Sequence, residues 1–394
     1  MKALSWHGVR DVRVDNVPDP SIEAPTDAII RVTSSGICGS DLHLYEVLGA
    51  FLDPGDILGH EPMGIVEEVG SAVPNLRPGD RVVVPFNVSC GHCFMCQHGL
   101  MSQCETTQVH EHDTGGSLFG YTKLYGQIPG GQAEFLRVPH ADFGPIKVPE
   151  GPPDDRFLYL SDVLPTAWQA VEYAHIPDGG SVLVLGLGPI GEMSCRIAQH
   201  RGAGKVIGID LVPERLERAR AHGVHALDLE EAGDGIPELV RELTEGRGPD
   251  SVIDAVGMEA HGSPTGKIAQ RLAGLLPDAA AQKLMLNAGV DRLTALHLAI
   301  ELVRRGGTVS LSGVYGGAAD PMPLMQMFDK QIKLTMGQAN VRRWVDQLMP
   351  LVSEDDPLGV DSFATHHVPL DQAPQAYEMF QKKEDGAFKV VLNP

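Results

Sequence analysis

Residues Ser181–Gly191 read SVLVLGLGPIG, and Glu192–Ala203 continue as EMSCRIAQHRGA. The opening residues are a continuous apolar run of strand length, which fits a strand buried on both faces. Glycines follow at once, and the next dozen residues read as a helix. The same alternation recurs downstream. KVIGID (Lys205–Asp210) is a second strand and PERLERARAHG (Pro213–Gly223) a second helix, while SVIDAVG (Ser251–Gly257) and GTVSLSGV (Gly307–Val314) are later strands. Buried strands alternating with helices predict an α/β fold with a parallel, doubly wound sheet.

Outward from this core the texture changes near residue 165. Residues 1–150 are rich in Gly, Pro and β-branched residues, and short runs such as AIIRVTSSG, GIVEEVG and RVVVPF are punctuated by PGD turns. That pattern predicts an irregular antiparallel β domain. After about residue 340 the chain is mixed again, with THHVPL and FKVVLNP reading as strands. One layout joins both ends of the chain in a single β-rich domain with the α/β domain inserted. Sequence alone leaves open whether the C-terminal strands return to the first domain. Between Met258 and about Glu301, IAQRLAGLL and LTALHLAIELV read as helices in a longer insertion than one strand–helix–strand step needs, most simply as extra packing helices.

At 394 residues the chain fits two domains. Its 43% hydrophobic and 21% charged composition is that of a globular protein. A formal net charge of −21 argues against nucleic-acid or anionic-membrane partners, which need a basic surface. The N-terminal MKALSWHGVRDVRV lacks the apolar run of a signal peptide, and no stretch of about 18 apolar residues occurs, so a cytoplasmic location is the default expectation.

GLGPIG places Gly186, Gly188 and Gly191 in the spacing G-x-G-x-x-G. The first glycine permits a tight turn, the second lets backbone approach a pyrophosphate, and the third lets the helix pack close to the strand. The helix N-terminus adds partial positive charge. Alone the motif is weak. Here it follows a strand, opens a helix, and precedes Asp210 at the end of the second strand, where an acid accepts hydrogen bonds from ribose hydroxyls and repels the extra phosphate of NADP.

Of six cysteines, Cys90, Cys93, Cys96 and Cys104 fall in one loop, the number that a closed tetrahedral zinc site requires. A closed site has no open position, so its role would be structural. Cys38 in GICGSDLH, and His60 and Glu61 in GHEPMGIVEEVG, are suspects for a second site, although a lone Cys or His is more often structural. Cys195, inside the helix after the glycine loop, reads as a small core hydrophobe.

Together and in this order, these motifs resemble the zinc-containing medium-chain alcohol dehydrogenase family. GHE-x2-G-x5-G-x2-V, from Gly59 to Val73, matches that family's zinc signature at every fixed position. Within it, SDVLPTAW, GGQAEFLRVPHADF and DLVPERL are similar to the glutathione-independent formaldehyde dehydrogenase and formaldehyde dismutase branch. The region Glu105–Gly130, with His110 and His112, departs from that branch and is expected to help shape the substrate pocket.

The resemblance implies a Rossmann NAD-binding domain over residues 164–338 and a β-rich GroES-like catalytic domain over 1–163 and 339–394. It implies two Zn2+ per chain: a catalytic one on Cys38, His60 and Asp162, and a structural one on the four clustered cysteines. Asp41 would orient His60, Glu61 would lie behind the metal, and Ser40 and His43 match a proton relay. Gly39, Thr166, Pro189, Ile190, Arg215, Val256 and Val314 match positions that contact NAD, beside the loop glycines and Asp210, and Lys389 matches a phosphate contact. The expected reaction is hydride transfer between NAD and a primary alcohol or aldehyde hydrate, giving the aldehyde or acid. The alternatives are an aldehyde dismutase that retains its NAD, aided by an insertion covering the adenine end, and a non-catalytic protein on the same fold. His261 stands where the branch tends to carry an arginine. The family implies a homodimer or homotetramer acting on a small alcohol or aldehyde.

Overall fold

The computed structural model describes residues 1–257, 293–315, 322–353 and 355–394. Most of the insertion after Met258, including IAQRLAGLL and His261, therefore lies outside the described residues. LTALHLAIELV forms the helix Thr294–Leu302. The chain divides into two compact units, Met1–Pro165 with Ala339–Pro394, and Thr166–Gln338.

In the second unit six parallel strands form one sheet in the order His225–Asp228, Lys205–Asp210, Ser181–Leu185, Ser251–Asp254, Thr308–Leu311, Lys333–Met336. The order reverses around Ser181–Leu185, the doubly wound topology in which ligands bind beyond the carboxyl ends of the strands. Leu183, Leu185, Ile207, Val252 and Val309 pack with Leu296, Ala299 and Ile300 of the helix Thr294–Leu302, which is why these strands read as unbroken apolar runs. The helix Pro189–His200 starts on a proline, whose missing N–H is no loss there. Its Cys195 is fully buried, as a core hydrophobe should be. Glu192, also fully buried, accepts a 2.6 Å bond from Arg218 and so ties this helix to Pro213–Ala221.

The first unit is built on a seven-stranded sheet. Its central strand Ala28–Ile37 pairs antiparallel with Glu61–Val69 on one edge. On the other, the C-terminal strand Val390–Asn393 pairs with it through Val390–Ile37, Val391–Gly36 and Leu392–Ser35. The C-terminal strands thus return to the sheet begun by the N-terminal part of the chain. One apolar core gathers Ile30, Val32, Val66, Val82 and Leu136. A second places Leu4, Ile37 and Leu44 against Tyr377 and Phe380 of the helix Ala373–Lys382. Among the described residues no helix is long and apolar enough to cross a membrane.

Candidate metal centres and nucleotide loop

Three chain breaks in regular structure deliver the first cluster. Cys38 immediately follows the strand Ala28–Ile37 and caps the helix Gly39–Glu46; His60 immediately precedes the strand Glu61–Val69; Asp162 immediately precedes the helix Val163–Ala174. One donor atom each from Cys38, His60, Glu61 and Asp162 lies within 4.8 Å of the others, and all four residues are buried. Asp162 Oδ2 stands 3.4 Å from His60 Nε2 and 3.6 Å from Cys38 Sγ. On the far side of the ring, Asp41 Oδ1 stands 3.1 Å from His60 Nδ1. Asp41 sits in the first turn of the helix, where its Oδ2 accepts the Cys38 N–H at 2.9 Å.

The electrostatics of this cluster call for a cation. Burial, then the carboxylates of Asp162 and Glu61, push the Cys38 thiol up to about 11. Burial also raises Glu61, against the pull of Lys389. Burial disfavours a charged His60, yet Asp41 and then Asp162 outweigh it and lift the imidazole well above its ordinary value. Glu61 Oε1 is buried with no hydrogen-bond partner among the described residues. A convergent S, N and O donor set in a dry site is the chemistry that zinc takes. These residues fit the metal.

Lys389 differs from expectation. Instead of standing free for a phosphate, it is fully buried in the first unit, its Nζ against Glu61 Oε2 and 3.1 Å from the Ile37 carbonyl. Ser40 and His43 lie three residues apart on Gly39–Glu46, hence on one side of that helix.

The sulfurs of Cys90, Cys93, Cys96 and Cys104 likewise lie within 4.8 Å of one another, and none forms a disulfide. Backbone N–H groups point at them: Cys93 N to Cys90 Sγ at 3.4 Å, Cys90 N to Cys104 Sγ at 3.4 Å, and Cys96 N to Cys93 Sγ at 3.5 Å. Burial pushes Cys104 up, but bonds from the Cys90 N–H and from Thr107 outweigh it and bring the thiol down to about 7. Burial, with the facing sulfurs, raises Cys96. Some sulfurs are prepared as thiolates while their crowding resists full ionisation, a conflict that a bound divalent cation removes. The chain thus holds two candidate zinc sites.

In the second unit Gly186 has φ +80°, and a side chain on Gly191 would strike the Gly186 carbonyl, so both positions demand glycine. Asp210, nine-tenths buried at the end of its strand, accepts Leu187 N–H from the loop at 2.6 Å through Oδ2. Its Oδ1 accepts Leu211 N–H at 2.7 Å and Val212 N–H at 2.9 Å. Arg215 Nη1 stands 3.7 Å from Asp210 and close above Gly188. Val256 packs at Gly186, and Val314 follows the neighbouring strand beside Gly257. Pro189 and Ile190 open the helix, and Thr166 lies in the helix Val163–Ala174. Gly39 opens the helix after Cys38.

His110 and His112 sit exposed on a short 3-10 turn and join neither cluster. Two residues went unnoticed in the sequence. Gln132 and Tyr377, both fully buried, form a 2.7 Å hydrogen bond beside Asp41. The one sequence signal is a glutamine wedged between Gly131 and Ala133 just before a strand.

Comparison with known proteins agrees with this architecture. Residues 24–150 match the alcohol dehydrogenase GroES-like domain and residues 189–263 the zinc-binding dehydrogenase domain. The chain is 40% identical to a zinc-type alcohol dehydrogenase-like protein of Bacillus subtilis, with both sequences covered in full. It is 32% identical to the formaldehyde dismutase of Pseudomonas putida, covering 100% of this chain and 97% of that one. Among solved structures, the alcohol dehydrogenase of Thermus sp. ATN1 superposes with a TM-score of 0.82 at 34% identity, over 100% of this chain and 99% of that one.

Proposed function

The chain belongs to the zinc-containing medium-chain alcohol dehydrogenase family, and we propose that it interconverts a small primary alcohol, or an aldehyde hydrate, with its aldehyde or acid by hydride transfer to and from NAD. The observation that carries this reading is the buried convergence of Cys38, His60, Glu61 and Asp162. Cys38, His60 and Asp162 would hold a catalytic zinc, with Glu61 behind it. Bound there, zinc supplies a Lewis acid that polarises an alcohol or carbonyl oxygen. The four clustered cysteines would hold a structural zinc that braces their loop.

The remaining work falls to the chain's own residues. Asp41 keeps His60 in one tautomer with Nε2 free to ligate. Ser40 and His43 carry the alcohol proton away from the site, as a positioned hydroxyl and imidazole do. Gly186, Gly188 and Gly191 bring backbone and helix N-terminus to a pyrophosphate, and Asp210 receives the adenosine ribose hydroxyls. Thr166, Ile190, Arg215, Val256 and Val314, all of the second unit, would line the dinucleotide, whose nicotinamide is the hydride carrier.

One further reading has support from the dismutase relative. In this reading the chain would retain its NAD as an internal hydride carrier, so that two aldehydes and one water become one alcohol and one acid. A homo-oligomer is supported by Leu324, Met325, Phe328 and Met336, large apolar side chains left exposed on the helix Leu324–Lys330 and on the edge strand Lys333–Met336.

The test is to assay purified protein with a panel of primary alcohols and aldehydes, with and without added NAD, and to count nucleotide released on denaturation. Turnover that needs added NAD supports the dehydrogenase. Dismutation without added cofactor, with about one nucleotide released per chain, supports the second reading. Zinc-replete protein that does neither overturns both.

A further inference from the structure

Behind Asp41 lies a buried polar chain that reaches the C-terminal helix. Gln132 Nε2 donates to the Gly36 carbonyl at 3.1 Å and approaches Asp41 Oδ2 at 3.4 Å. Its Oε1 accepts the Tyr377 hydroxyl at 2.7 Å. Gln132, Tyr377 and Asp41 are all fully buried. The amide can face only one way: the Gly36 carbonyl and the Asp41 carboxylate only accept, so the NH2 must turn toward them and Oε1 toward Tyr377. Tyr377 then has to donate. Its ring is held against Tyr45, with centroids 5.6 Å apart, on the helix Ala373–Lys382.

The consequence is felt at Asp41. Its Oδ2 meets the Cys38 N–H at 2.9 Å and the Gln132 amide, and two donors on one oxygen fix the carboxylate's rotation. Oδ1 is thereby left for His60 Nδ1, 3.1 Å away. Neither of those two atoms has another hydrogen-bond partner among the described residues. Gln132 also grips the segment before His60. Its N–H donates to the Leu58 carbonyl at 3.0 Å, and Gly59, at φ +99°, leaves no space for a side chain against the Gln132 stem.

We propose that Gln132 and Tyr377 are positioning residues for the catalytic metal centre, acting through Asp41 to hold the His60 imidazole in its ligating orientation. The inference rests on the reading of Cys38, His60 and Asp162 as zinc ligands. An unbound amide at Gln132 would let the carboxylate rotate, and His60 would lose its fixed tautomer while its own contacts stayed chemically intact. Partners of this kind are worth about 10–100-fold in metal affinity when removed.

The experiment measures zinc release from the intact holoenzyme to a chromogenic chelator, site by site, together with the visible spectrum of protein whose labile zinc is exchanged for cobalt(II). For Gln132→Leu the expected result is about 10–100-fold weaker retention of the labile zinc and an altered cobalt spectrum, with the four-cysteine zinc held as in wild type. Tyr377→Phe removes one oxygen and keeps the ring; its expected shift is in the same direction and smaller. Adding Asp41→Asn to Gln132→Leu should weaken retention by less than the product of the two separate effects, since both act through one carboxylate. Should Gln132→Leu fail to fold, Tyr377→Phe decides alone. Wild-type retention and spectrum in the variants that fold, or equal weakening at both zinc sites, overturns the proposal. A wild-type protein with no labile zinc overturns the metal reading beneath it.

Discussion

Lys389 and Glu61 form an ion pair in which both side chains are fully buried, and the Glu61 carboxylate belongs to the four-residue cluster with Cys38, His60 and Asp162. Lys389, just before the C-terminal strand Val390–Asn393, thus delivers the positive charge that balances Glu61 in this cluster. Removing one partner of a buried pair leaves an uncompensated charge, at a cost of about 3–5 kcal/mol. Lys389→Met should therefore lower stability by about that amount. Lys389→Met combined with Glu61→Gln should recover part of the loss. Urea titration of wild type, Lys389→Met, Glu61→Gln and the double variant measures the coupling, and a Lys389→Met loss below about 1 kcal/mol would contradict a buried pair.

Metal content separates the two clusters. Wild-type protein should carry two zincs per chain, one labile to chelators and one retained. Asp162→Ala should lose the first and keep the second, because the two donor sets share no residue. Elemental analysis after dialysis decides it, and a wild-type count of one would sink the assignment.

Cofactor choice should follow Asp210. Its carboxylate lies between the loop N–H of Leu187 and the start of the next helix, where a 2′-phosphate would meet negative charge at close range. Preference for NAD over NADP is the expected result, and Asp210→Ala should narrow it. Ratios of kcat/KM for the two cofactors provide the measurement; a wild-type preference for NADP is the contrary outcome.

Acid stability of the second unit should depend on Asp250. Burial pushes its carboxyl up, but hydrogen bonds from the Ser181 N–H, Arg304 and the Ser181 hydroxyl outweigh burial and hold it below the ordinary range. A depressed folded value means that the unfolded chain binds the proton more readily. The group's contribution is complete above its unfolded value of about 3.9 and is lost as pH falls through the lower folded one. Asp250→Asn should lower stability at neutral pH and flatten the acid dependence. Thermal unfolding from pH 7 to pH 3 reads both effects, and parallel curves for variant and wild type would refute the role.

The local features were legible in the sequence. SVLVLGLGPIG announces a buried strand, a glycine turn and a helix start because each follows from neighbouring residues: apolar continuity, and glycines at the turn, where Gly186 takes φ +80° in the structure. The four cysteines could be grouped because one loop holds them. The set Cys38, His60 and Asp162 was reached by family resemblance alone, since no periodicity joins Cys38 to a residue 124 positions away. Only the tertiary structure decided that Lys389 is buried against Glu61 and that Tyr377 meets Gln132 across 245 positions. A polar residue's pattern in sequence reports its own exposure tendency, not which distant group satisfies it. Here the partner is supplied by the return of the C-terminal strand Val390–Asn393 to Ala28–Ile37 and by the packing of the helix Ala373–Lys382 on the core. Burial then makes each such pairing obligatory, because an unpaired buried polar group costs more than the bond is worth.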